Sequence, residues 1–163
     1  ELVFVLGRDL IGPHVTSRDV LAATAALCGG IELPARYVGD PPSAADLISR
    51  NALANRFVVG DPVPRFDHLD LALLGVVIEI NGEPTHSGSA ANAMGHPAEA
   101  VAAVVNDPDL IEAGGLRAGQ LIFSGSLTPA ITLSAGITLD ANFAHLGRVG
   151  ITVAPHTPRT GAR

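Results

Sequence analysis

The sequence predicts an α+β fold: an antiparallel or mixed sheet system with about three helices. Three observations predict it. The 163 residues include 18 Gly and 12 Pro, so turns are frequent and strands short. Short apolar runs recur between those turns. Three segments open with helix-start signals, a hydroxyl followed by an acid or a leading Pro. The length suffices for one domain with a real core. That core has to be built from Val, Ile, Leu and Ala, because the chain is 47% hydrophobic but only 4% aromatic, with no Trp and one Tyr.

Taken in order, residues 2–6 read as a buried strand. Thr16-Ser17-Arg18-Asp19 starts a helix with a hydroxyl cap and an acid in the first turn. Its apolar run is expected to continue to Leu27, with Gly29-Gly30 as the stop. Residues 31–33 form a short strand cut by Pro34. Gly39-Asp40-Pro41-Pro42 is a loop, and Ser43-Ala44-Ala45-Asp46 opens a short helix to about Asn51. Residues 56–60 are a strand, and Asp61-Pro62-Val63-Pro64 joins it to the next, at 73–80. Asn81-Gly82 is a hairpin signal, and Glu83-Pro84-Thr85-His86 returns as an edge strand, where Pro is tolerated. Pro97 suits the first turn of a helix through Val105. Residues 121–123, 131–133, 137–139 and 149–153 complete the strands. One domain is expected over 1–153, and residues 154–163 are expected to be a disordered tail.

Composition excludes several functions. The net charge of −6 and the lack of a basic cluster argue against nucleic acid as a partner. All ten basic residues are Arg. With no Lys, this chain offers no Schiff base, no Lys-anchored pyridoxal phosphate and no phosphate-loop lysine. The single Cys28 cannot form an internal disulfide and points to a reducing, cytoplasmic setting. It reads as a small buried apolar residue rather than a nucleophile. No apolar run is long enough to span a membrane. The opening has no basic leader or cleavage site, so no signal peptide is expected. It also lacks an initial Met, as a fragment or processed piece would.

Two carboxylates stand out. Glu1 heads the apolar run Leu2-Val3-Phe4-Val5-Leu6, and Glu32 lies between Ile31 and Leu33. A carboxylate in apolar surroundings is costly unless it is paired or binds a cation, and two that converge make an oxygen site for a hard divalent metal. Spacing equally allows an exposed strand end for Glu1 and, by strand alternation, a solvent-facing Glu32. Ser124-Gly125-Ser126 follows a strand, and its small residues allow backbone amides to approach a carboxylate or oxyanion. An ordinary turn fits the same residues. The small-residue loop at 87–97 leads into a helix start, where an anion or close packing would fit. His96 and His145 are candidates for proton transfer, against packing or surface roles.

A set of motifs then occurs in family order: Glu1 before Val3-Phe4-Val5-Leu6, Asp19-Val20-Leu21-Ala22-Ala23-Thr24-Ala25-Ala26-Leu27, Ile31-Glu32-Leu33, Phe57-Val58-Val59-Gly60, Asn81-Gly82-Glu83, Ala93-Met94-Gly95-His96-Pro97, Leu116-Arg117-Ala118-Gly119, Ser124-Gly125-Ser126, Ala135-Gly136 and Leu146-Gly147-Arg148-Val149. On these the chain resembles, to about Val153, the 2-keto-4-pentenoate (2-hydroxypenta-2,4-dienoate) hydratase and 4-oxalocrotonate decarboxylase family. That family lies within the fumarylacetoacetase C-terminal-domain superfamily. The resemblance implies a mixed β-roll with a few flanking helices. It implies Mg²⁺ or Mn²⁺ held by three Glu, two of them matched by Glu1 and Glu32. The first Glu and a Lys-bearing amino-terminal region would precede residue 1.

The implied activity is that of a divalent-metal-dependent hydratase or related lyase. It would act on a small 2-oxo or 2-hydroxydienoic acid in the breakdown of aromatic or related ring compounds. A 4-oxalocrotonate-type decarboxylase and an acylpyruvate hydrolase use the same enolate stabilisation. The implied partners are the small 2-oxo acid, further copies in a homo-oligomer, and a pathway decarboxylase or hydratase. Ser124, Gly125 and Ser126 would line the carboxylate end. The family's Asp-Asn-Ala-Ser is replaced by Arg50-Asn51-Ala52-Leu53, its Ile-Asp-x-Arg by Pro34-Ala35-Arg36-Tyr37, and a Trp-Lys segment by Asp40-Pro41-Pro42. Arg50 and Leu53 thus alter one wall of the substrate pocket. They imply a substrate with an added carboxylate or alkyl tail, or a catalytically silent member serving as a structural or partner subunit.

Overall fold

A computed structural model describes residues 1–35 and 41–155. The expected features at Arg36-Tyr37 and Gly39-Asp40, and the tail beyond residue 155, lie outside the described residues. Two four-stranded sheets form the framework. The first has the order β3-β2-β1-β6, from β1 (Leu2–Leu6), β2 (Thr24–Leu33), β3 (Arg56–Val59) and β6 (Leu121–Phe123). The second has the order β5-β4-β7-β8, from β4 (Gly75–Ile80), β5 (Glu83–Ser89), β7 (Thr138–Phe143) and β8 (Gly147–Thr152). Every pairing within them is antiparallel. Among the described residues four short α-helices flank them: α1 (Ser17–Ala23), α2 (Ala44–Ser49), α3 (Pro97–Val105) and α4 (Pro108–Glu112).

The helix starts follow from local chemistry. Thr16 and Asp19 form a reciprocal capping box, as do Ser43 and Asp46. The capping hydroxyl and backbone N–H hold each of these two aspartates below the usual carboxylate range. On α3, Pro97 sits in the first turn and His96 Nδ1 accepts the Ala98 N–H at 3.1 Å. Asn81 and Gly82 both adopt positive φ, 53° and 84°, in the β4–β5 hairpin. α4 was not expected; Asp107 caps it by accepting the Asp109 N–H at 2.9 Å, and Pro108 opens it.

Two expected elements are corrected. The first helix ends at Ala23 rather than Leu27, and residues 24–33 form the longest strand. β2 lies between β1, where Leu2 pairs with Gly29, and β3, where Leu33 pairs with Arg56. The β1 ladder and the Leu27–Val63 bridge override the helical preference of the Ala-rich run. Gly29 and Gly30 are therefore strand residues. Their missing side chains leave room for neighbours: a Cβ on Gly29 would lie 2.3 Å from Phe143 Cδ2, and one on Gly30 would lie 2.5 Å from Val3 Cγ2. The second correction is at 131–133, which form no strand. Ile131 and Leu133 pack, partly buried, against the core from an irregular segment, so their alternation serves burial without a ladder.

One face of the first sheet carries Leu2, Phe4 and Leu27, which join Val20, Val101, Val105 and Phe143 in the core. Gly29 lets Phe143 press against this face. The opposite face is left for the candidate site. Among the described residues no helix is long and apolar enough to cross a membrane.

Candidate metal and substrate site

Sheet register brings Glu1 and Glu32 to one face. Glu1 extends β1 by one residue, because its amino group donates to Gly30 O at 2.8 Å and its carbonyl accepts the Gly30 N–H at 2.9 Å. Side chains alternate along a strand, so Glu32, two residues beyond Gly30, shares the face of Glu1 as its diagonal neighbour. The charge of Glu32 reaches Glu1. Glu1 is held above the usual carboxylate range, first by burial, with the negative charge of Glu32 adding to it; the buried amino group and the Gly125 N–H oppose the shift. Burial in turn lowers the pKa of that amino group. Glu1 is partly buried, whereas Glu32 is exposed. Glu32 thus does face solvent, and it does so beside Glu1.

The Ser124-Gly125-Ser126 loop reaches the same carboxylate. Gly125 donates its N–H to Glu1 Oε2 at 2.9 Å. Ser124 follows β6 directly, and its N–H donates to Leu2 O at 3.0 Å. Its side chain is buried, with Oγ lacking a hydrogen-bond partner among the described residues. An unmet buried hydroxyl costs about 1–3 kcal/mol. Asn92 steadies the loop by donating from Nδ2 to Leu127 O at 2.9 Å.

Two aromatic rings frame the carboxylates. Phe57 lies opposite Glu32 in the β2–β3 ladder, and Phe123 lies opposite Val3 in the β1–β6 ladder. Their ring centroids are 5.4 Å apart in an edge-to-face arrangement above Gly30. The rings, Asn92 and the Gly125–Glu1 bond escaped the sequence reading. Scarcity of aromatics, with Phe57 and Phe123 two of only five Phe, was the one signal that could have drawn attention to the rings.

Arg50 and Leu53 stand apart from this cluster. Arg50 caps the C-terminus of α2, exposed, and its charge helps to lower the pKa of Asp46. Asn51, Ala52 and Leu53 follow in the left-handed region, with φ of 51°, 51° and 69°. That conformation costs roughly 1–2 kcal/mol per L-residue. It is tied to the chain just past β2, where Leu53 O accepts the Ala35 N–H at 2.8 Å, so the segment approaches from the Glu32 end. Of the histidines, His96 is engaged in its cap and His145 is exposed in the β7–β8 turn. Cys28 is buried opposite Val3 in the β1–β2 ladder, and burial pushes its thiol pKa up.

Among the described residues no group of three or more His, Cys, Asp or Glu gathers as a metal cage. The Glu1–Glu32 pair nevertheless suits a hard cation such as Mg²⁺ or Mn²⁺, which takes one or two carboxylates and fills its remaining positions with water and substrate oxygens. The Gly125 N–H orients Glu1 as an outer-shell bond orients a ligand.

The fumarylacetoacetate (FAA) hydrolase C-terminal family matches residues 1–154. This chain belongs to that family. Within it, the chain is 36% identical over 154 residues to the 2-hydroxyhexa-2,4-dienoate hydratase of Comamonas testosteroni, covering 93% of this chain and 57% of that protein. It is 31% identical over 151 residues to a 4-oxalocrotonate decarboxylase of Pseudomonas putida, covering 91% and 56%. The solved 4-oxalocrotonate decarboxylase of Pseudomonas putida G7, complexed with magnesium and adipate, superposes with a TM-score of 0.84 at 31% identity, over 94% of this chain and 58% of that one. This FAA hydrolase C-terminal chain thus spans a little over half the length of the relatives it matches.

Proposed function

We propose that this chain supplies metal ligands and substrate contacts to a divalent-metal-dependent hydratase or related lyase. Its substrate would be a small 2-oxo or 2-hydroxydienoic acid from the breakdown of aromatic or related ring compounds. The observation that carries the reading is the shared face of Glu1 and Glu32, with the Gly125 N–H bonded to Glu1. Relatives named as dienoate hydratases and oxalocrotonate decarboxylases, one solved with magnesium, support the substrate class and the cation.

Glu1 and Glu32 would hold Mg²⁺ or Mn²⁺. The bound cation supplies Lewis-acid stabilisation for negative charge developing on the substrate's 2-keto and carboxylate oxygens. The Gly125 N–H keeps the Glu1 carboxylate in one orientation, so the pair needs little rearrangement when it binds. The unpartnered Ser124 hydroxyl and the neighbouring Ser126 would donate to the substrate carboxylate. Phe57 and Phe123 meet edge to face beside the pair, with Phe57 itself 56% exposed. Arg50 and Leu53 stand beyond Glu32, apart from the pair, where the charge and the apolar volume differ from the family pattern. Further copies of the chain in a homo-oligomer belong to the same reading.

Titration of the chain with Mn²⁺, followed by electron paramagnetic resonance, tests the site. Glu1→Gln and Glu32→Gln should each weaken binding at least tenfold, about 1.4 kcal/mol. Unchanged affinity in both variants would remove the carboxylate pair from the mechanism.

A further inference from the structure

We infer that Phe57 is a specificity-determining residue: its open ring face is the platform on which the flat, conjugated part of the substrate stacks beside the carboxylate pair. The inference rests on the metal and 2-oxo-acid reading of Glu1 and Glu32. Cross-strand partners share a face and stand about 5 Å apart at Cβ. Phe57 is the partner of Glu32, so it rises from the sheet directly beside that carboxylate. Phe123 is the partner of Val3, two residues along β1 from Glu1, and so rises from the same face. Gly30 is the floor between them. A Cβ there would lie 2.7 Å from Phe123 Cε1, so the bare glycine is what lets that ring reach across.

Exposure singles out Phe57. Of the five Phe in the chain, the other four are buried or half-buried, and Phe57 alone is exposed. It also lies on an edge strand, where charged side chains are the usual choice. The ring is nevertheless held. Its centroid lies 5.4 Å from that of Phe123, with the planes at 65°. In an edge-to-face pair each ring gives at most one of its faces to the other, so Phe57 keeps at least one face open. The carbons next to a head chelated at the pair would lie beside Glu32, and hence against that face. A planar conjugated tail lies flat on a ring and touches it over its whole area, whereas a puckered saturated tail meets it at fewer atoms. Phe57 therefore favours the flat dienoic acid over the saturated tail that addition of water leaves, which also assists release of a hydrated product.

The test is calorimetric binding of three stable 2-oxo acids to the 163-residue chain with Mg²⁺. Pyruvate probes the head alone, phenylglyoxylate a planar conjugated tail, and cyclohexylglyoxylate a puckered tail on the same carbon skeleton. The expected result is magnesium-dependent binding of pyruvate, with phenylglyoxylate tighter than cyclohexylglyoxylate by about threefold or more. Phe57→Leu keeps an apolar side chain without a ring and should bring that ratio close to one. Phe57→Tyr keeps the ring and should preserve the ratio. If pyruvate binds with Mg²⁺ but the unaltered chain does not prefer phenylglyoxylate, or the preference survives Phe57→Leu, the platform is overturned and the cation site stands. A preference lost equally in Phe57→Tyr overturns it too, because the ring alone should suffice. Loss of all three acids together in Phe57→Leu marks a structural role and likewise overturns it. If no acid binds the unaltered chain with Mg²⁺, the cation site fails and the platform falls with it.

Discussion

Gly29→Ala should destabilise the fold, although Ala is ordinarily the better residue in a regular element. An ideal Cβ at position 29 lies 2.3 Å from Phe143 Cδ2, 2.5 Å from Cε2 and 2.9 Å from Cγ. Unstrained carbon contacts lie near 3.5 Å, so the ring would have to retreat by roughly 1.2 Å. Phe143 is 4% exposed and belongs to the main core, where little free volume receives it. Overpacking of this kind costs about 1–3 kcal/mol. The smaller backbone entropy loss of Ala returns roughly 0.5–1 kcal/mol. The net loss is about 1–2 kcal/mol, or roughly 2–8 °C in Tm for a domain of this size. Thermal and urea unfolding followed by circular dichroism would measure it.

A double-mutant cycle with Phe143→Leu assigns the cause, because a smaller side chain at 143 should relieve the clash. The coupling should exceed about 1 kcal/mol. A neutral or stabilising Gly29→Ala, or a cycle that is additive within about 0.5 kcal/mol, would refute the packing of the second sheet on Gly29.

Two further predictions concern the site. Mg²⁺ must bind ionised carboxylates, and burial holds Glu1 above the usual carboxylate value of about 4.3, so protons should compete at a higher pH than for an ordinary Glu. Affinity measured by calorimetry should be flat near neutrality and fall as pH drops through the raised value; flat affinity down to about pH 4 would contradict it. In a longer form of the protein carrying the region implied to precede Glu1, the double change Arg50→Asp, Leu53→Ser should raise the hydration rate of 2-hydroxypenta-2,4-dienoate, read as loss of ultraviolet absorbance. It shifts the local charge by about two units at neutral pH and restores a hydroxyl donor. Efficient hydration by the unaltered protein, lowered by the double change, would show that these positions do not set specificity.

The sequence by itself determined the elements whose causes are local. Thr16 with Asp19 and Ser43 with Asp46 start helices because a capping box closes within one turn. Asn81-Gly82 makes the hairpin because both residues accept positive φ. The motifs placed the chain in its family, and the two glutamates were legible as candidates because carboxylates beside apolar runs are rare. Tertiary structure decided what depends on distant partners. Residues 24–27 carry a helical pattern but become strand because β1 pairs with them along one side and Val63 bridges to Leu27 on the other. Ile131 and Leu133 look like a strand but find no edge to pair with and settle for burial. The convergence of Glu1 with Glu32 follows from a register set by Glu1 and Gly30, and Gly125 joins them from far along the chain. No local pattern encodes such a contact, because its free energy is realised only after β1, β2 and β6 have come together and partly buried Glu1.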